Sequence, residues 1–498
     1  MNKRERILAA LLAAAFVTPL ASCGGSGDAD VTSAPDSDDS TGETTASPYD
    51  SNGFLLDSLP DDLDFGGRTV TILGWDHYEE VEFYTEEQTG DIVNDAYYER
   101  NLTVEDRLNV KLEFLEGLTR GSSDFIQKIN NSVMSGSGEY DIVAGHSHHV
   151  SQASSDGLLM NVLDIDYIDF DKPWWAQSLK EETTIGGALY FLAGDIAVST
   201  TSRIQGLFFN NDYIVDYNLE DPYDVVLDGK WTVDKMIEMS KDIYSDLNSD
   251  GKKDEKDQFG FACDWVQFQA PMYSCGIKSV DVTSDGGLEV SPTFTGEKAA
   301  DLLVKICGFV HDTNDATKIA QTDDTKIFIE GRALFYAFPL GLISSGDMRS
   351  VKFSYGFIPW PKYDENQENY IVSSSNAFSL WSVPIDAKDP DISGAVMEAM
   401  ASGGYRLISP ALFETAYKVK YNSMDSERQS QVFDILKSSV IYDVGKVYAN
   451  LKNNLFNDYC DMIYNNNTNW LSKVASKQTA MQTSLDELVE TFRENAAG

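Results

Sequence analysis

The sequence predicts an α/β protein built as two lobes. Strand-like and helix-like apolar patterns alternate through the body of the chain, beginning with a β-α-β-α-β run. The chain has 498 residues, and the part after roughly residue 60 is long enough for two domains. Two of the first three strands run at their carboxyl ends into aromatic and imidazole side chains, where open α/β sheets bind ligands.

The N-terminus sets the expected compartment. Lys3, Arg4 and Arg6 form a basic start, and Ile7 to Val17 is an apolar run of signal-peptide length. That run is too short to span a bilayer. Leu20-Ala21-Ser22-Cys23 follows and resembles the lipobox of bacterial lipoproteins, which implies cleavage after residue 22 and lipidation of Cys23. From Gly24 to Asp50 the chain consists mainly of Gly, Ser, Thr, Asp, Ala and Pro, with almost nothing to bury. Such a composition cannot offset its ordering entropy, so residues 23–62 are expected to form an acidic tether. No Lys or Arg occurs between Arg6 and Arg68.

Charge narrows the partners. The formal net charge is -42, and residues 1–22 hold three basic and one acidic side chain, so the chain from Cys23 onward stands at -44. That balance argues against nucleic acid, and against an anionic membrane surface except through the lipid anchor. A monomer is expected. No segment after the leader has the ~18 consecutive apolar residues of a membrane span. Cys263, Cys275, Cys307 and Cys460 show no metal or redox spacing. A Cys263–Cys275 disulfide and buried free thiols both remain open.

The first lobe is read in order. Arg68–Gly74 is a buried strand, with Val70 and Ile72 on one face, and it leads into Trp75, Asp76 and His77. A helix is expected over Asp91–Leu108 and a strand over Lys111–Phe114. Ser122–Ser135 is an amphipathic helix, with Phe125, Ile129 and Val133 spaced by four. Tyr140–Ala144 is the third strand, and His146, His148 and His149 are expected on a loop beyond it. No carboxylate or Cys joins these histidines with zinc spacing, so hydrogen bonding to a ligand is the reading preferred for His146 and His148.

Asp246, Asn248, Asp250, Lys252, Asp254 and Asp257 match a calcium loop of the EF-hand type. Side chains at positions 1, 3 and 5, a carbonyl at 7, and side chains at 9 and 12 supply the oxygens, with Gly251 at position 6. Position 12 is Asp rather than Glu, which shortens its reach. A structural Ca2+ is expected there, and a solvated polar turn is the plainer alternative.

Aromatic residues beside polar ones suggest carbohydrate chemistry. Sugars present apolar C–H faces and a rim of hydroxyls, and flat rings with nearby amide or carboxylate groups match both. Trp75 with Asp76 and His77, Trp174, Trp175, Asp195, Trp265, Gln267 and Phe338 are candidates on that ground. Trp231 is expected to pack a helix start. Catalytic motifs are missing: there is no G-x-S-x-G, H-E-x-x-H, P-loop or dinucleotide fingerprint.

Several strings in order resemble one family. GDIVNDAYYERNLTVEDRLNVKLEF and EYDIVAG are followed by KPWWAQSL, GALYFLAGD and GLFFNNDYIVDYNL. LDGKWTVDKMIEMSKDI, FIEGRALFYAFP, YGFIPWPKYDENQENY and SLWSVPIDAKDPDISGAVMEAM come after them. Together they resemble the family 1 extracellular solute-binding proteins, distant relatives of the maltose-binding protein. The resemblance implies a two-lobed, periplasmic-binding-protein-like fold (type II, venus-flytrap) with interleaved lobes joined by a hinge. Lobe 1 would hold 63–163 and 372–412, and lobe 2 would hold 164–371 and 413–498. It also implies a receptor without enzymatic activity that hands a small solute, expected to be a mono- or oligosaccharide, to an ABC importer permease at the outer face of a bacterial membrane. A secreted carbohydrate hydrolase and a surface scaffold or adhesion protein are the competing readings.

Overall fold

The computed structural model describes residues 47–75, 82–115, 124–312, 317–320, 325–418 and 426–497. Two sheets organise it. In chain order the strands are β1 (Arg68–Gly74), β2 (Val110–Leu115), β3 (Ile142–His146), β4 (Gln205–Asn210), β5 (Phe259–Asp264), β6 (Val280–Val282) and β7 (Leu288–Val290). They continue as β8 (Thr317–Ala320), β9 (Ala333–Pro339), β10 (Tyr355–Pro359), β11 (Val372–Ser373), β12 (Ser379–Ser382) and β13 (Val440–Ile441).

The first sheet has the order β12-β3-β1-β2. β1 pairs in parallel with β2 and β3, and β12 closes the edge antiparallel to β3. Its sequence pattern explains both faces: Val70 and Ile72 are fully buried, as are Ile142, Val143 and Ala144. The second sheet has the order β10-β4-β9-β5-β8, with β9, β5 and β8 parallel and β4 and β10 antiparallel to their neighbours. β4 and β5 are buried along their whole length, as strands covered on both faces must be.

The helix Ile92–Leu108 begins where expected, because Asp91 accepts hydrogen bonds from the N–H groups of Val93 and Asn94. It ends at Asn109 in the left-handed conformation. Arg100 on this helix is fully enclosed, donating to the carbonyls of Ile196 (2.6 Å) and Phe83 (2.9 Å). Burial pushes its guanidinium down to about 10.

The chain crosses between the sheets more than once. It leaves the first after β3, enters the second at β4, and returns between β10 and β12. Two crossings are stitched together: Ile204 and Ser374 form an antiparallel bridge, and Ser375 N–H donates to the Arg203 carbonyl at 2.8 Å. β11 and β13 pair in parallel beside them.

Two expectations change. Leu55 and Leu59 pack on the first core, and Asp57 pairs with Arg107 at 2.6 Å, so the packed chain starts inside the expected 23–62 tether. Trp174, Leu189, Leu192 and Ile196 also join the first core, so that core draws on more chain than 63–163 and 372–412. The four described cysteines are buried free thiols, not a Cys263–Cys275 disulfide. Trp231 is fully buried and donates to the Pro359 carbonyl at 2.9 Å, as its helix-start position suggested. No described helix is long and apolar enough to cross a membrane.

Candidate functional site: a cleft between the two sheets

A cavity of about 590 Å³ lies where the two sheets face each other. From the first sheet come His146, at the end of β3, and His148 and His149 just beyond it. From the second come Asp264, at the end of β5, and Phe338-Pro339, at the end of β9. Arg203, Ser375 and Asn376 enter from the crossing segments. The site therefore sits at the carboxyl ends of parallel strands, where the helix and loop starts point their side chains.

The histidines are held by secondary structure rather than on the expected loop. His146 is both the last residue of β3 and the N-cap of the helix Ser147–Ser155. Its Nδ1 accepts from the His148 N–H at 3.2 Å, which leaves the neutral ring's proton on Nε2. The three rings cluster, with His146 centroids 5.1 Å from His148 and 5.6 Å from His149. Burial lowers the His149 imidazole from its ordinary value, which favours its neutral form. Among the described residues, no group of three or more His, Cys, Asp or Glu side chains is arranged to hold a metal ion.

The opposite wall is oriented by a chain of buried hydrogen bonds. Lys446 Nζ donates to Gln205 Oε1 at 3.1 Å, and the Ser373 hydroxyl donates to the same oxygen at 2.8 Å. Gln205 Nε2 then faces Gln267 Oε1 at 3.4 Å, and Gln267 Nε2 faces Asp264 Oδ2 at 3.3 Å. A carboxylate only accepts, so Gln267 turns its Nε2 to Asp264, which leaves its Oε1 for Gln205 Nε2 and the Gln205 Oε1 for Lys446 and Ser373. Asp264 Oδ1 also caps the turn that follows, accepting from Val266 N–H (2.8 Å) and Gln267 N–H (3.2 Å). Gln269, in the same wall, is 8% exposed and its Oε1 has no hydrogen-bond partner. The cleft thus offers imidazole, amide and carboxylate groups around one partly buried ring, Phe338.

The expected site residues divide among several places. His146, His148, Gln267 and Phe338 meet in this cleft. Trp265 is 38% exposed, between the cleft residues Asp264 and Val266. Trp75 is not a ligand platform: it is buried, donates to Ser379 Oγ at 2.8 Å and stands edge-on to His146 at 5.2 Å. The ring reaches across the end of β3 to Ser379 on β12, so the first aromatic after β1 is buried before the cleft begins. Asp76 and His77 lie outside the described residues. Trp174, Trp175 and Asp195 gather instead around a second cavity of about 370 Å³, with Lys437 and Tyr442. Arg203 faces the cleft and its neighbour Ile204 faces this second cavity, so the crossing segment separates the two. Trp175 Nε1 donates to Glu398 at 2.9 Å, and Asp195 accepts from Ser409 Oγ at 2.7 Å, which ties both into the fold. Arg203 and Asn376 on the crossings, and Gln269 and Asn450 on short helical and turn segments, also line the cleft; single polar residues in such places carry no periodic or motif signal.

The architecture is that of the two-lobed substrate-binding proteins of ABC transporters. One solved structure of this shape is the GacH receptor of Streptomyces glaucescens, solved unliganded and with acarbose: 15% identity, 86% of this chain and 98% of that one, TM-score 0.51. Another is the ABC transporter associated binding protein of Bifidobacterium animalis subsp. lactis with β-1,6-galactobiose (14%, 86% and 99%, TM-score 0.51). A third is UgpB of Mycobacterium tuberculosis with glycerophosphocholine (13%, 84% and 98%, TM-score 0.54). At these identities the likeness establishes the fold. No protein-family model and no curated protein sequence matches the chain.

Proposed function

We propose that this protein is a capture receptor for a small carbohydrate, bound in the cleft between the sheets and passed to an ABC importer permease without chemical change. The observation that carries the reading is the cleft wall itself. The imidazoles, the Asp264 carboxylate, the Gln267 and Gln269 amides and the Phe338 ring suit hydroxyls that both donate and accept around an apolar face. The shared fold with binding proteins solved with acarbose and galactobiose supports it. Closure follows if the ligand favours a state in which both walls touch it. Cys23 would carry the lipid, and the acidic segment after it would hold the domain off the membrane.

The test is a thermal-shift and calorimetric screen of the purified chain against mono- and oligosaccharides, with glycerophosphodiesters and peptides alongside. Saturable binding of one sugar class, with the sugar recovered intact, supports the receptor reading. Product formation would replace it with the hydrolase. A response to glycerophosphodiesters alone would replace the sugar. No small-molecule response in any class would favour the scaffold.

A further inference from the structure

We infer that the loop from Asp246 to Asp257 is a calcium site that fastens a surface arm to the second sheet. Its ends carry the observation. Asp257 is completely buried, and its Oδ1 has no hydrogen-bond partner. Asp246, at the other end, also has an Oδ1 shielded from solvent and without a partner. The second oxygen of each carboxylate is engaged within the arm. Asp246 Oδ2 accepts from the Gly251 N–H at 2.9 Å. Asp257 Oδ2 accepts from the Asp254 N–H and the Tyr244 hydroxyl, both at 3.0 Å. Two carboxylates at the first and last positions of one loop are thus each left with one dry, unmatched oxygen.

An ionised oxygen hidden from water with no donor is costly, and a cation is what relieves it. Hard divalent calcium, which takes six to eight oxygens at flexible geometry, fits the donor set better than zinc or a lone proton. The loop's remaining oxygens are Asn248, Asp250, the Lys252 carbonyl and Asp254. Asp250 Oδ1 accepts from the Lys252 N–H at 2.8 Å, and Asp254 Oδ1 from the Lys256 N–H at 2.9 Å. Asn248 Nδ2 donates to Asp250 Oδ2 at 3.1 Å. The described residues hold no ready cluster of three acidic side chains, so filling the shell requires the Asn248 amide and the Asp250 carboxylate to turn inward. Gly251, at φ +72°, allows the sharp bend at mid-loop.

The arm matters to the second sheet because Asp257 lies two residues before the start of β5. Gln258 pairs with Ser245 across its base, and Arg332, just before β9, donates to the Glu255 and Asp257 carbonyls. A cation here would fix the approach to the strand that ends in Asp264. The site is independent of the ligand proposed for the cleft.

The experiment titrates the chelator-treated full chain with CaCl2, and separately with MgCl2, by calorimetry and thermal melting. Tb3+ luminescence sensitised by Tyr244 is the third readout. The expected result is one calcium per chain, a melting midpoint that climbs with the logarithm of free calcium, and a Tb3+ signal displaced by calcium. Asp246→Asn and Asp257→Asn should each weaken calcium at least a hundredfold. Lys252→Ala, which keeps the carbonyl, should bind within a few-fold of wild type and shows that the arm tolerates substitution. Absence of heat and of any melting shift at millimolar calcium overturns the inference. So does a calcium response that survives both Asp→Asn changes, since the ion would then sit elsewhere.

Discussion

Lys446 Nζ lies 3.1 Å from Gln205 Oε1 in a buried setting, with the Tyr273 ring 5.3 Å from the amine. Burial pushes this lysine down to about 7 from its ordinary 10.5. The unfolded chain keeps the proton up to about pH 10.5, whereas the fold gives it up near 7. Over that window the unfolded state binds more protons, so this group makes stability rise with pH, by at most about 1.4 kcal/mol per unit. Lys446→Met should remove that slope. Denaturant unfolding of both proteins at pH 6.5, 8 and 9.5 checks it: the variant should gain most at the lowest pH.

Glu398 gives a slope of the opposite sign. It is 1% exposed, and burial raises its carboxyl to about 7 despite the donors Trp175 Nε1 and Asp169 N–H. Between about 4.5 and 7 the folded state holds the extra proton, so the group's contribution falls as pH rises. Glu398→Gln keeps an acceptor for Trp175 and should match wild type near pH 4.5 but exceed it at pH 8. Thermal melts of the pair across that range decide the matter.

Asp264→Asn tests the carboxylate of this wall. The amide oxygen can still cap Val266 and Gln267, but the new NH2 would face Gln267 Nε2 donor to donor, so the unliganded chain should lose about 1–3 kcal/mol of stability while still folding. The charged acceptor beside Gln267 is lost, and hydrogen bonds to charged groups contribute about 1.5–3 kcal/mol. Affinity for the sugar identified by the screen should fall tenfold or more by calorimetry. Unchanged affinity would move the ligand away from this wall.

Gly404 tests packing across the first lobe. A Cβ there would lie 1.8 Å from the Asp195 carbonyl oxygen, a backbone atom with no rotamer to change. Gly404→Ala should cost about 1–3 kcal/mol or more by overpacking. Denaturant melts measure the loss, and an unchanged midpoint would mean the Asp195 segment is free to shift.

Local pattern made the strand and helix order legible. β1 and the helix from Asp91 follow from apolar spacing and a capping aspartate, both of which act within a few residues. The cleft histidines were visible as a cluster, and Gln267 and Phe338 as polar or aromatic residues beyond strands. Their grouping was not. Trp75, Trp174 and Trp175 read as platforms because an exposed ring and a buried one have the same local sequence, and only packing tells them apart.

The sequence by itself determined the α/β alternation, the acidic composition of the segment after Cys23, the polar chemistry near strand ends and the spacing of the Asp246–Asp257 loop. Each is a property of neighbouring residues. The tertiary structure decided which strand ends face each other, that Arg203 and Ile204 look into different cavities, and that hydrogen bonds join Lys446 to Asp264 more than 180 positions away. Those relations depend on how β3, β5 and β9 come to face one another across the chain's crossings. Contacts between residues so far apart in sequence leave no periodic trace in it.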